Sequence, residues 1–288
     1  MSSVILPSPA KLNLFLHITG RRADGYHSLQ TIFQLLDYGD SLSFRVNPSG
    51  DIHLSPAIDT VAAEDNLIVR AARLLQTATG CMQGCDITLD KQIPMGAGLG
   101  GGSSNAATAL VGLNKLWQTG LSTDQLADLG AQLGADVPVF VRGNTAFAEG
   151  IGELLTAVEL PEQWYLVITP DIQVSTAEIF SNPQLTRDTS PIKIRALSEV
   201  QYRNDCQVVV TELYPAVKQA LEWLADYRDP LMTGTGASVF CSFDNHTEAQ
   251  KALDLVPKQW RAFIARGDNR SSLHRELKKI FIGASPSG

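Results

Sequence analysis

The chain of 288 residues is short of positive charge: 23 Lys and Arg stand against 30 Asp and Glu, a formal net charge of −7. Nucleic acids and anionic membranes select basic surfaces, so neither is expected as a partner. Cysteine is scarce. Cys81, Cys85, Cys206 and Cys241 form no C-x-x-C pair and have no neighbouring histidines, which argues against zinc and for reduced thiols. No apolar run is long enough to span a bilayer. The N-terminus lacks the basic start and apolar core of a signal peptide, so a cytosolic location is expected. No Gly-Lys pair occurs, so the nucleotide P-loop G-x-x-x-x-G-K-[ST] is missing. The His-Arg-Asp and Asp-Phe-Gly triplets of protein kinases are missing too. What remains is an ordinary globular composition, 44% hydrophobic and 18% charged, long enough for one large domain or two modest ones.

Glycine, by contrast, is concentrated. Pro94–Ala107 reads Pro-Met-Gly-Ala-Gly-Leu-Gly-Gly-Gly-Ser-Ser-Asn-Ala-Ala, with five glycines between Gly96 and Gly102. Such a run can enter left-handed backbone regions and curl its N–H groups around one point. A short β-branched segment, Cys85–Leu89, precedes it. Ser104–Trp117 follows with apolar residues at helical spacing. Strand, glycine loop and helix start aim free backbone donors and the positive end of a helix dipole at one spot, and a phosphate suits it. Gly96-x-Gly98-x-x-Gly101 also matches the dinucleotide fingerprint. The acidic residue that fingerprint needs about twenty positions on is absent, which weakens a dinucleotide-dependent oxidoreductase.

Along the chain, Ala10–Ile18 alternates as a half-buried strand, with Lys11 and Asn13 together on its second face. That face is either wet or functional. Tyr26-His27, after the turn Gly20–Gly25, is either a lid on the core or a pair that stacks on a planar ring and bonds its edge. Ser28–Leu36 and Ser41–Val46 read as strands around a turn at Asp37–Asp40, and Ile52–Leu54 as another strand. Asp65–Thr79 reads as a helix capped by Asp65 or Asn66 and stopped by Gly80. Ser122–Leu133 is a further capped helix. Asp136 stands among small and apolar residues, as a local cap or as a functional carboxylate. Thr145–Gly150 and Leu154–Leu160 suggest a hairpin. A polar break at Pro161–Gln163 suggests a boundary, with one unit at 1–160 and another at 161–288. Beyond it, Trp164–Pro170, Val239–Phe243 and Trp260–Ala265 read as strands. Ser175–Phe180, Ile192–Leu213, Pro215–Tyr227, Glu248–Leu255 and Leu273–Phe281 read as helices. Asn182–Pro191 reads as a loop and Thr233–Ser238 as a second small-residue loop. A mobile Gly/Ser/Pro tail is expected. Phosphoryl transfer needs an anion cradle, a cation and a carboxylate facing an acceptor hydroxyl. Gly96–Ser104, Lys11 and Asp136 are the candidates, with Ser103 and Ser104 placed to bond phosphate oxygens or a metal.

Three stretches together resemble the GHMP small-molecule kinase superfamily: Pro9-Ala-Lys-Leu-Asn-Leu, the glycine run from Pro94, and Thr233-Gly-Thr-Gly-Ala-Ser. Arg22-x-Asp-Gly-Tyr-His27 and Gly134-Ala-Asp-Val-Pro138 further resemble the branch that acts on a cytidine-diphosphate-linked methylerythritol in non-mevalonate isoprenoid biosynthesis. The likeness runs from about Pro7 to about Leu277. It implies an α+β, two-domain fold: an N-terminal domain like ribosomal protein S5 domain 2 and a ferredoxin-like C-terminal domain, with the site between. The first would bind ATP, the second the acceptor.

The resemblance also implies roles. Asp136 would be the catalytic base on the 2-hydroxyl, and Lys11 would keep it ionised. Asn13 and Thr176 would contact the acceptor, Tyr26 and Phe180 would sandwich the cytosine, and His27 would read its edge. Asn66, Leu67 and Lys91 would hold adenosine. Pro94, Gly96, Gly98, Leu99, Gly100, Gly101, Gly102, Ser103 and Ser104 would hold the phosphates. ATP with Mg²⁺ is implied, though no acidic residue announces itself as a metal ligand and Ser104 is only a guess. A monomer or homodimer is expected, in a bacterial cytoplasm or a plastid stroma. The alternatives are a homoserine, mevalonate or galactose-type kinase, whose acceptors carry no base to stack on, and a nucleotide-binding sensor without catalysis.

Overall fold

The structure, a computed structural model, describes residues 3–57, 61–199 and 202–282. The expected Gly/Ser/Pro tail lies outside them, as do positions 58–60 and 200–201.

Two long strands form the spine, β1 (Val4–Arg21) and β2 (His27–Asn47), paired antiparallel. β2 also pairs with β4 (Gly84–Asp90), which carries β3 (Ile52–Ser55) in parallel. The hairpin β5 (Ala146–Glu149) and β6 (Leu154–Ala157) adds to β2 at Thr31–Phe33. A second antiparallel group holds β7 (Trp164–Thr169), β8 (Leu231–Met232), β9 (Val239–Phe243) and β10 (Arg261–Asp268). β10 joins the two groups where Gly267 and Asp268 pair with Leu36 and Leu35. The fold is α+β.

Local chemistry sets the helices. In α1 (Leu67–Thr79) the Asn66 side chain accepts from Ile68 N at 2.9 Å, and Gly80 ends the helix in the left-handed region at φ 68°. α2 (Gly101–Leu116) begins inside the glycine run, three residues before the expected start, because Gly100 at φ 72° turns the chain straight into it. α3 (Thr123–Ala131) carries a capping box between Ser122 and Gln125. Next come the short α4 (Val137–Arg142) and α5 (Thr176–Ser181), then α6 (Gln207–Leu213), α7 (Pro215–Ala225), α8 (His246–Leu253) and α9 (Ser272–Ile282).

Three apolar clusters fill the molecule. One packs α1, α2 and α4 on the first sheet and takes in Leu273 and Leu277 of α9. A second lies under α6 and α7 on the other strands. A third, with Leu12, Phe15, Leu99, Val167 and Phe240, lies between the two halves.

Three expectations need correction. β1 is not half-buried: Lys11 and Asn13 are each 3% exposed, because the glycine run and Asp136 enclose Lys11 and the loop at Thr233 covers Asn13. Irregularities in the β1–β2 register at Pro9/Lys11 and Asn13/Leu16 bracket these two residues and aim them at the space between the halves. No turn breaks β2 at Asp37–Asp40. There Gly39 lies so close to β1 that a Cβ would meet Pro9 Cα at 2.7 Å, and Tyr38 stacks on Phe263 with centroids 3.7 Å apart. The span Ile192–Leu213 is not one helix. A 3-10 stretch at Ile194–Glu199 and α6 are separated by Asn204 and Asp205, which bind β1 instead: Asp205 N donates to Leu16 O at 2.8 Å and Ile18 N to Asp205 Oδ2 at 2.7 Å.

Candidate active site

The glycine run forms a wall between two cavities. Gly96, Gly98 and Gly100 alternate at φ 63°, 75° and 72°, which turns successive N–H groups toward one side. On that side lies a cavity of ≈ 420 Å³, at the start of α2. Asn66, Leu67, Lys91, Pro94 and Gly96–Ser103 all line it. Ser104 does not. It is fully buried, and its hydroxyl accepts from Ser8 Oγ at 2.9 Å, turned toward β1 and not into the cavity.

A carboxylate with no precedent in the sequence reading fixes this cavity. Asp40 is 3% exposed and receives four donors. Oδ1 accepts from Gln92 N at 2.7 Å and Ile93 N at 2.8 Å; Oδ2 accepts from Lys91 Nζ at 2.6 Å and Asn105 Nδ2 at 2.9 Å. One buried anion thus ties the entry of the loop to the first turns of the helix beyond it. Burial pulls the Lys91 ammonium below its ordinary range, and Asp40 opposes that shift.

On the other side of the wall opens a cleft of ≈ 770 Å³. Lys11 lines this cleft and bonds to the wall itself. Its Nζ donates to Asn13 Oδ1 at 2.5 Å and Gly98 O at 3.1 Å, and lies 3.2 Å from Asp136 Oδ2. Its backbone N donates to Leu99 O at 3.1 Å, which holds β1 against the loop. Asp136 precedes α4 but makes no capping bond, so of its two readings the local cap fails. Its carboxylate is 32% exposed, open to the cleft rather than sealed in the dry segment its neighbours suggested.

The third motif closes the arrangement from the second half. Thr233 Oγ1 accepts from Asn13 N at 2.9 Å and donates to Gly98 O at 3.2 Å, and Ser238 N donates to Ala97 O at 3.2 Å. A side chain at Gly98 would strike Thr233 O. Gly234, Thr235 and Gly236 line the cleft, not the smaller cavity.

Tyr26, His27, Thr176 and Phe180 all line the cleft. Tyr26 is 62% exposed. Phe180 stacks on His27, with centroids 5.1 Å apart and planes 29° apart. Thr176 Oγ1 lies 2.9 Å from Thr235 Oγ1. His27 Nε2 accepts from Arg187 Nε at 3.0 Å. Burial, then Arg187 and Arg21, hold the His27 ring below its ordinary pKa. Arg187 sits in a segment read only as loop, and no local pattern marked it.

The donor set does not suit a protein-held metal. No cluster of three or more His, Cys, Asp or Glu is found among the described residues, and Asp136 is the only carboxylate on the cleft wall. No described helix is long and apolar enough to cross a membrane.

Comparison with known proteins agrees with this geometry. The family models described as GHMP kinases N terminal domain and GHMP kinases C terminal match residues 66–144 and 186–262. The 4-diphosphocytidyl-2-C-methyl-D-erythritol kinase of Pseudomonas syringae pv. syringae is 56% identical over 96% of this chain and 98% of its own. The protein of that name from Mannheimia succiniciproducens is 56% identical over 95% of this chain and 91% of its own. A crystal structure of a 4-(cytidine 5'-diphospho)-2C-methyl-D-erythritol kinase superposes with a TM-score of 0.80 at 32% identity, covering 92% of this chain and all of that one.

Proposed function

The chain belongs to the GHMP kinases, within the 4-diphosphocytidyl-2-C-methyl-D-erythritol kinase family, and from that premise we propose how its site works. It is an ATP-dependent phosphotransferase that phosphorylates the 2-hydroxyl of 4-diphosphocytidyl-2-C-methyl-D-erythritol in non-mevalonate isoprenoid biosynthesis. The observation that carries the assignment of roles is the Lys11 Nζ–Asp136 Oδ2 pair at 3.2 Å, on the wall of the aromatic cleft beside Gly98 and Gly100, which line both spaces.

ATP occupies the smaller cavity, with adenosine near Asn66, Leu67 and Lys91 and the phosphates against the N–H groups of Gly96–Ser103. The acceptor occupies the cleft, its cytosine between Tyr26 and Phe180 and beside His27, its erythritol end near Asn13 and Thr176. Asp136 takes the proton of the 2-hydroxyl as the oxygen attacks the terminal phosphorus. The Lys11 ammonium offsets negative charge that gathers on the transferring group. Residues 1–160 supply the ATP domain and 161–288 the acceptor domain, with Tyr26 and His27 reaching across from the first. The enzyme is read as a monomer or homodimer of the bacterial cytoplasm. ATP chemistry brings Mg²⁺ with the phosphates. The donor set described above offers it no site of its own, and no step here runs through it.

The test is a coupled ADP-release assay with ATP and a panel of acceptors. Turnover is expected with the cytidyl compound and not with mevalonate, homoserine or galactose. Turnover with one of those instead would sink the acceptor assignment, and tight ATP binding with no turnover at all would point to a sensor.

A further inference from the structure

Arg187 is the most fully engaged side chain in the acceptor half, and its partners are not those of a solvated loop arginine. Nη2 donates to Phe180 O at 3.0 Å and Asn182 O at 2.8 Å, and Nη1 to Leu185 O at 3.0 Å. These bonds fasten the guanidinium to the end of α5, the helix that carries Phe180. Nε is then left pointing at His27 Nε2, 3.0 Å away. Arginine stays protonated and can only donate. His27 Nε2 must therefore offer its lone pair, which an imidazolium lacks, so the ring is neutral and carries its proton on Nδ1.

That constraint reaches the cleft. His27 is 8% exposed and lines it. Among the described residues no group bonds its Nδ1, yet Nδ1 is not among the side-chain atoms sealed off without a partner. The ring thus has one free donor, Nδ1–H, on a side chain that lines the cleft. Burial, Arg187 and Arg21 all disfavour the charged ring, so the ring is neutral at neutral pH and the Arg187 bond sets its tautomer.

We propose that Arg187 is a specificity-determining residue: by occupying His27 Nε2 it locks the ring as an Nδ1–H donor and so selects a base with an acceptor at N3, cytosine, over uracil. Cytosine offers lone pairs at O2 and N3, whereas uracil carries N–H at N3 and would set donor against donor. A histidine free to exchange tautomers would accept from uracil N3–H as readily as it donates to cytosine N3. Selectivity of this kind comes from leaving the wrong base unpaired, not from extra contact with the right one. The proposal rests on the cytidyl-acceptor reading and extends it to a residue that touches neither base nor sugar.

Two measurements test it. The first needs no variant: nitrogen-15 shifts of the His27 ring in the intact protein near neutral pH. A protonated Nδ1 and a bare Nε2 are expected; a ring protonated at Nε2 overturns the proposal. The second compares CDP and UDP by calorimetry in wild type, Arg187→Met and Arg187→Lys. Wild type is expected to prefer CDP by roughly tenfold or more, Arg187→Met to lose that preference to within about threefold, and Arg187→Lys to recover part of it, with kcat at saturating acceptor little changed. A CDP preference that survives in Arg187→Met, in an enzyme that turns over the cytidyl acceptor, overturns the selector and leaves the kinase reading intact. A wild type with neither turnover nor CDP preference overturns both.

Discussion

The two cavities on either side of the glycine wall are built on different principles. The smaller is a backbone site. Its shape comes from alternating left-handed glycines, a helix start and one buried carboxylate that holds the chain on both sides. The larger is a side-chain site, assembled from β1, the turn before β2, β2 itself, the residues before α4, α5 and the loop after β8, segments as far apart in sequence as Lys11 and Gly236. On the proposed reading, a backbone site recognises what its ligands share, the phosphates, and a side-chain site decides which acceptor enters and what happens to it. Changes in the cleft should therefore alter selectivity and chemistry, and changes in the wall should alter nucleotide binding and stability.

The sharpest separation is expected from Asp136→Asn, which keeps size and removes the base. Turnover should fall by roughly 10²–10⁴-fold, while ATP affinity, read by calorimetry, stays within about twofold. Full turnover in the variant would take Asp136 out of its role. Gly98→Ala strikes the wall itself. At φ 75°, with Thr233 O in the way of a Cβ, it should cost about 1–3 kcal/mol in chemical denaturation and raise the KM for ATP. An unaltered midpoint would mean that the halves separate easily at this contact. Tyr26→Ala should raise the KM for the cytidyl acceptor about tenfold or more, the worth of one base stack, and leave the KM for ATP near wild type. Equal effects on both would erase the distinction between the two cavities.

The smallest effect lies outside both. His17 is 4% exposed and neither ring nitrogen has a partner. Its pKa is lowered first by burial, with Asp205 opposing and Arg203 adding to the shift. His27 and His274 are lowered as well, again mainly by burial. A ring with a lowered folded value binds protons more readily in the unfolded chain, so its stability is present above the ordinary value of 6.5 and lost as pH falls below it. Melting midpoints should decline on acidification from neutral. His17→Leu should stabilise by about 1 kcal/mol and make that decline shallower. A steeper decline would show that the ring is charged in the fold.

Legibility in the sequence followed the same division. The glycine loop before α2, the caps of α1 and α3 and the hairpin β5–β6 all rest on contacts within a few residues, and local pattern found them. β1 was misjudged because alternation reports what one sheet face does alone. It cannot say that the distant glycine run and the loop at Thr233 will cover the other face and bury Lys11 and Asn13. Asp37–Asp40 carries turn residues, yet they serve a close crossing with β1 and a stack on Phe263, partners more than two hundred positions away in one case. Asp40 and Arg187 went unseen for that reason. A buried carboxylate and a guanidinium acquire meaning only from the donors and acceptors that tertiary structure brings to them.

The sequence alone determined that a run of left-handed glycines would lead straight into a helix start, because both are properties of neighbouring residues. It also determined, through three spaced motifs, which family the chain resembles. Only the tertiary structure decided that Lys11 meets Asp136, that Ser104 turns inward to Ser8, and that Arg187 sets the proton on His27. Each of these is a contact between residues dozens to more than a hundred positions apart, and a hydrogen bond has no direction until both of its ends have been placed.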